Sequence, residues 1–120
     1  MRISTLMSYA QGYVGATKEI SEMEKAGLDV VWVPEAYSFD APSAMGYLAA
    51  KTESVTIASG ILPIYSRTPT LLAMTAAGID ALPEGRCMLG LGAGFQLPSA
   101  ASAGSGPLSF APAAGSQRSA

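Results

Sequence analysis

Residues 58–69 read Ala58-Ser59-Gly60-Ile61-Leu62-Pro63-Ile64-Tyr65-Ser66-Arg67-Thr68-Pro69, an apolar strand that runs out into a proline-bounded loop and then into a helix. Just upstream, Ser54 to Ile57 alternates and is β-branched, which is the pattern of a strand, and Gly60 marks a point where the backbone can take a conformation closed to other residues. Thr68 is placed to cap the helix and Pro69 to fill its first position, where a missing N–H costs nothing. Strand, irregular loop and helix make a βα unit. In parallel α/β folds the loops at the carboxyl ends of the strands bind ligands. The spacing is equally satisfied if Gly60 to Arg67 is only a connection.

Upstream of this stretch, Ile3 to Met7 reads as a first strand, followed by a loop from Ser8 to Gly15 whose Tyr9 and Tyr13 either line a site or cover an end of the core. Ala16, Ile20 and Met23 recur at helical spacing while Lys18, Glu19, Glu22 and Lys25 fall elsewhere, so Ala16 to Ala26 is an amphipathic helix with a solvated charged face. Gly27 sits where a left-handed C′ residue belongs, with Leu28 placed to contact Met23. Val30-Val31-Trp32-Val33 is uninterrupted β-branched and aromatic sequence, as in strands covered on both faces. It delivers Glu35 to the mouth of the sheet, to hold a ligand or a loop amide, or to serve structure alone. Asp40 and Pro42 open a second helix that turns Met45, Leu48 and Ala49 inward.

Downstream, Leu71, Leu72, Met74, Ala76, Ala77, Ile79 and Leu82 give the helix after Pro69 enough apolar surface to bury one broad face. Pro83-Glu84-Gly85 is a turn, and Cys87 to Leu91 reads as a fourth buried strand. Strands therefore begin near residues 3, 30, 55 and 87, with one helix between each pair. Such alternation requires a parallel sheet with right-handed crossovers, either open and doubly wound or part of a (β/α)8 barrel. A whole barrel takes roughly 250 residues, so on the barrel reading these four units are its N-terminal half.

Composition narrows the function. Of 120 residues, 49% are hydrophobic and 13% charged, and the net charge of −2 with no Lys/Arg cluster argues against a nucleic-acid surface. The absence of histidine excludes a Ser-His-Asp or Cys-His device and a histidine-based zinc site, so no metal is expected. The single cysteine, Cys87, cannot form an internal disulfide and reads as a buried strand thiol. No run has signal-peptide character or membrane-spanning length, so no membrane association and a cytoplasmic location are expected. From Ala93 to Ala120, 21 of 28 residues are Ala, Ser, Gly or Pro, a composition expected to stay disordered. The chain thus divides into a domain over 1–92 and a tail over 93–120, and the abrupt switch predicts that the reading frame leaves a longer parent near Gly92. Gly90-Leu91-Gly92-Ala93-Gly94 invites a dinucleotide-binding reading, but Phe95 stands where the fingerprint needs its third glycine.

Taken together, Ala26-Gly27-Leu28-Asp29-Val30-Val31-Trp32-Val33-Pro34-Glu35-Ala36-Tyr37, the stretch from Gly60 to Pro69, Gly85-Arg86 and Leu89-Gly90-Leu91-Gly92 resemble the bacterial luciferase-like monooxygenase superfamily, and within it the coenzyme F420-dependent oxidoreductases. The resemblance covers residues 1 to about 92. It implies a TIM-type barrel holding coenzyme F420, or alternatively FMN, in its carboxyl-terminal mouth, with hydride transfer to or from a small organic substrate. Carried over by position, it implies Glu35, Gly60 and Ile61 as cofactor contacts and a non-prolyl cis bond between Gly60 and Ile61 behind the ring. Ala36 and Phe95 depart from the histidine and the acid that F420-dependent sugar-phosphate dehydrogenases carry there, and no residue is marked as a catalytic proton donor. The alternative is a non-catalytic half-barrel that self-associates through exposed strands.

Overall fold

The computed structural model describes residues 1–35, 39–82 and 84–93; the expected disordered tail lies almost wholly outside them. In chain order the elements are β1 (Ser4–Leu6), α1 (Gly12–Lys25), β2 (Val30–Val33), α2 (Ala41–Lys51), β3 (Thr56–Ser59), β4 (Leu62–Pro63), α3 (Pro69–Ala81), β5 (Cys87–Met88) and β6 (Leu91–Gly92). Strands β1-β2-β3-β5 form one sheet in that order and β4 pairs with β6 in a second, all parallel. This is the βα alternation expected of a partial barrel.

The register sorts side chains by face. Ser4, Val30 and Thr56 lie side by side, as do Thr5, Val31, Ile57 and Cys87 in the next row and Leu6, Trp32, Ala58 and Met88 in the one after. Alternation sends successive rows to opposite faces. Val31, Val33 and Ile57 pack with Ala16 and Ile20 of α1 and with Ala44, Met45 and Leu48 of α2, so that face is the closed core. The row containing Leu6 and Met88 faces the other way, and both residues are exposed.

Local signals explain the element ends. Asp40 caps α2 by accepting the Ser43 N–H at 3.1 Å, and Thr68 caps α3 by accepting the Leu71 N–H at 3.1 Å. At the end of α1, Gly27 takes φ +104°, with its N–H donating to Glu24 O at 3.0 Å and the Leu28 N–H to Met23 O at 3.0 Å. That is the Schellman closure read from Gly27 and Leu28. Helix α1 begins at Gly12, one turn before the expected Ala16, because no capping side chain marks its start.

Two clamps hold the amino-terminal end of the sheet. Glu24 accepts the N–H groups of Glu53 at 3.0 Å, Ser54 at 2.6 Å and Val55 at 2.7 Å. Burial pushes its carboxyl upward, but these hydrogen bonds outweigh burial and hold it below the usual carboxylate range. Arg86 grips the same turn through its carbonyls, donating to Val55 O at 2.6 Å and Thr52 O at 3.1 Å.

Three expectations change. The fourth strand is not continuous from Cys87 to Leu91 but breaks at Leu89-Gly90, where the backbone runs under β3. Ser59 is fully buried; its hydroxyl accepts the Gly90 N–H at 2.8 Å and donates to Gly90 O at 3.0 Å. Gly90 O also accepts the Leu62 N–H at 2.8 Å, which starts the β4–β6 pair inside the stretch expected to be only loop. Secondly, the residue that needs to be glycine here is Gly90 and not Gly60. A Cβ on Gly90 would overlap Ser59 O and lie 2.8 Å from Gly60 O, whereas one on Gly60 would meet nothing nearer than 3.5 Å, and φ at Gly60 is not positive. Thirdly, α3 buries only Ile79 fully and leaves Leu71, Met74 and Leu82 exposed, because no element among the described residues covers its other flank.

Replacing Gly90 with Ala should destabilise the fold by about 2 kcal/mol or more through backbone overlap, while Gly60→Ala should change stability by less than about 1 kcal/mol. The urea midpoints of the two variants test this; equal midpoints would contradict the close approach at Gly90.

Candidate functional site at the carboxyl ends of the strands

All strands of the main sheet point the same way, so their carboxyl ends share one rim: Met7 after β1, Pro34-Glu35 after β2, Gly60-Ile61 after β3 and Leu89-Gly90 after β5. The bulge at Gly60 is fixed against the end of β2, its N–H donating to Val33 O at 2.8 Å. From there Ile61 projects outward with half its surface exposed, 50%, next to Leu62, which is fully buried. The structure therefore places Gly60 beside the end of β2 and sets Ile61 as an apolar surface on the rim.

Glu35 turns inward. Its side chain is 15% exposed and pairs in bidentate fashion with Arg67, itself 12% exposed, at 2.6 Å from Nη1 to Oε1 and 2.8 Å from Nη2 to Oε2. Oε2 also accepts the Ala41 N–H at 2.6 Å, one of the amides that the first turn of α2 leaves without a helical partner. The hydrogen bonds that Arg67 donates to Glu35 raise its pKa further, against the effect of burial. One carboxylate thus ties the end of β2 to the start of α2 and to the loop entering α3. The loop amide anticipated for Glu35 is that of Ala41; the larger partner, Arg67, went unassigned in the sequence because no pattern links positions 32 residues apart.

Tyr9 and Tyr13 form an aromatic cluster with Phe39: ring centroids lie 5.5 Å apart for Tyr9–Tyr13, 5.4 Å for Tyr9–Phe39 and 4.7 Å for Tyr13–Phe39. The Tyr9 hydroxyl donates to Pro34 O at 3.3 Å. Burial, with the charges of Tyr13, Asp40 and Glu35, pushes the Tyr9 phenol up to about 12, and burial with Asp40 and Glu35 raises Tyr13 as well. Both remain protonated near neutrality, and their mutual packing covers this end of the core. Cys87 is half-buried, and burial together with Asp80 raises its pKa, which disfavours the thiolate a nucleophile needs.

The cis bond implied at Gly60-Ile61 is not present; every peptide bond among the described residues is trans. Ala36 and Phe95 lie outside the described residues. No helix among the described residues is long and apolar enough to cross a membrane.

The family model for luciferase-like monooxygenases matches residues 2–114. A Mycobacterium tuberculosis protein that bears the name putative coenzyme F420-dependent oxidoreductase is 34% identical over 87 residues, covering 68% of this chain and 25% of the relative. Among solved structures, the coenzyme F420-dependent tetrahydromethanopterin reductase of Methanopyrus kandleri superposes with a TM-score of 0.69 at 23% identity, over 79% of this chain and 27% of that one. The oxygenating constituent of 3,6-diketocamphane monooxygenase from Pseudomonas putida, in complex with FMN, superposes with a TM-score of 0.73 at 20% identity, over 86% and 32%. The chain thus spans about a quarter of the curated relative's length, and the solved structures show the shared barrel fold.

Removing the carboxylate with Glu35→Ala should cost about 3–5 kcal/mol, since it strands a buried guanidinium and the Ala41 N–H. The double variant Glu35→Leu/Arg67→Met should recover at least half of that loss, because neither charge then remains buried alone. Urea unfolding measures both; an undamaged single variant, or a double no better than the single, would contradict a buried pair.

Proposed function

The chain belongs to the luciferase-like monooxygenase family, and we propose that it derives from a coenzyme F420- or FMN-dependent oxidoreductase in which Glu35, Gly60 and Ile61 form part of the cofactor's seat. The observation that carries this reading is the Gly60-Ile61 bulge. It stands at the carboxyl rim of a parallel sheet, where α/β barrels bind their ligands, and presents a half-exposed apolar side chain over a braced backbone.

The residues fit the flat ring of such a group better than its charged tail. Ile61 offers an apolar wall, and the Ser59–Gly90 hydrogen bonds hold that wall from behind. Glu35 contributes by fixing Arg67 and the adjoining loop, both of its oxygens being engaged within the protein. Arg67 directs two of its N–H groups to Glu35, which pairs its charge within the protein. When bound, a flavin or deazaflavin supplies hydride acceptance or donation at its central ring; the protein's part is to position and tune that ring. The naming of the Mycobacterium tuberculosis relative favours F420, with FMN as the alternative and a small organic molecule as the substrate.

A second reading rests on Glu35 and Arg67 being engaged with each other: a non-catalytic chain that keeps the fold without turning over. The two separate on binding. Purified full-length chain should quench F420 or FMN fluorescence at micromolar concentration, and Ile61→Asp, which replaces an exposed side chain, should abolish the quenching while leaving the circular dichroism unchanged. A folded chain that quenches neither cofactor would support the non-catalytic reading, and quenching untouched by Ile61→Asp would remove the bulge from the proposed seat.

A further inference from the structure

Between β3–β4 and β5–β6 the pairing slips by one residue. Ile57 stands opposite Cys87, 30 positions further along the chain, whereas Leu62 stands opposite Leu91, 29 positions further along. The first chain segment therefore carries one residue more than its partner between these pairs, which is a β-bulge. The Ile57 N–H donates to Arg86 O, and in a straight parallel ladder that pattern continues with the Gly90 N–H on Ser59 O and the Ile61 N–H on Gly90 O. Instead the Gly90 N–H donates to the Ser59 hydroxyl at 2.8 Å, and Gly90 O accepts from that hydroxyl at 3.0 Å and from the Leu62 N–H at 2.8 Å. The side chain of Ser59 has taken the ladder place of its own carbonyl.

The slip decides which side chain meets the rim. Ile57 and Ser59 share the buried face, and strict alternation would put Ile61 there as well and turn Leu62 away. Across the bulge it is Leu62 that is fully buried, in the core with Val31, Val33 and Ile57, while Ile61 is half exposed. We propose that Ser59 is the positioning residue of this rim: by engaging both the N–H and the carbonyl of Gly90, its hydroxyl holds the bulge that sets Ile61 outside and Leu62 inside. Removing the hydroxyl takes the acceptor from the Gly90 N–H. Ser59 O lies against Gly90, where a Cβ would overlap it, and is the acceptor next in reach. Turning to it restores the straight ladder, draws Ile61 onto the buried face and passes the spare residue into the loop beyond β4. What this means for a cofactor rests on the seat proposed at Gly60 and Ile61; the hold on the register does not.

Thiol labelling at position 61 reads the register without a cofactor. In the full-length chain, Ile61→Cys/Cys87→Ser should react freely with a small maleimide. Adding Ser59→Ala should slow that reaction about tenfold or more as the exposed form becomes the minor one, whereas adding Ser59→Thr, which keeps a hydroxyl, should not. Deleting Ile61 from the Ser59→Ala chain removes the residue that the bulge accommodates, so the urea midpoint should return toward that of the wild type; if Ser59→Ala does not fold, the deletion should restore folding. With Ile61 in place, Ser59→Ala should weaken the quenching of F420 or FMN fluorescence about tenfold or more, and Ser59→Thr should leave it intact. Labelling indifferent to Ser59→Ala, labelling slowed equally by Ser59→Thr, or stability that the deletion does not restore would each overturn the hold of Ser59 on the register. Slowed labelling with unchanged quenching would overturn its part in the seat. A chain that quenches neither cofactor yet shows the labelling pattern supports the inference and removes the cofactor reading alone.

Discussion

A carboxylate removed from water must find compensating partners or lose its charge, and Glu35 finds three donors at once, two from Arg67 and one from the first turn of α2. This requirement organises the carboxyl-terminal rim of the sheet. Val30 to Val33 brings Glu35 to the rim, Asp40 and Pro42 start α2 so that the Ala41 N–H points back at it, and the loop after β4 must follow a path that delivers Arg67. Because the loop is fixed at Arg67 by Glu35 and at Gly60 by Val33, the bulge between them has a defined position.

The opposite end of the sheet is held by different means. Glu24 gathers the amides of residues 53–55 and Arg86 gathers the carbonyls of Thr52 and Val55, so one turn is gripped by a carboxylate and a guanidinium. In barrels the amino-terminal end serves stability and the carboxyl-terminal end carries chemistry, the division on which the proposed cofactor seat rests. The family membership of the chain and the barrel fold of its structural neighbours accord with this division.

Much of the architecture was legible in the sequence because short-range chemistry encodes it. Asp40, Thr68 with Pro69, and Gly27 with Leu28 name their own helix ends, and the unbroken run Val30 to Val33 announces a strand covered on both faces. What escaped depends on contacts distant in sequence. Gly90 needs to be glycine only because Ser59 O and Gly60 O lie against it, a constraint some 30 residues away that no local pattern carries. The pairing of Glu35 with Arg67 is of the same kind, as is the break that splits Cys87 to Leu91 into two strands. The apolar residues of α3 were read as a buried face from composition alone; whether Leu71 and Met74 are covered depends on what packs against that flank, which composition does not specify.

The Glu35–Arg67 pair fixes the loop carrying Gly60 and Ile61. Residue-resolved amide hydrogen exchange on Glu35→Gln, which keeps the shape of the side chain and removes its charge, tests it most directly. Exchange of the Leu62 and Ile64 amides, which donate to Gly90 O and Gly92 O, should accelerate while the amides of Val31 and Ala58 in the central strands keep their protection. Unchanged exchange at Leu62 and Ile64, or an equal loss of protection across the whole sheet, would contradict a local latch.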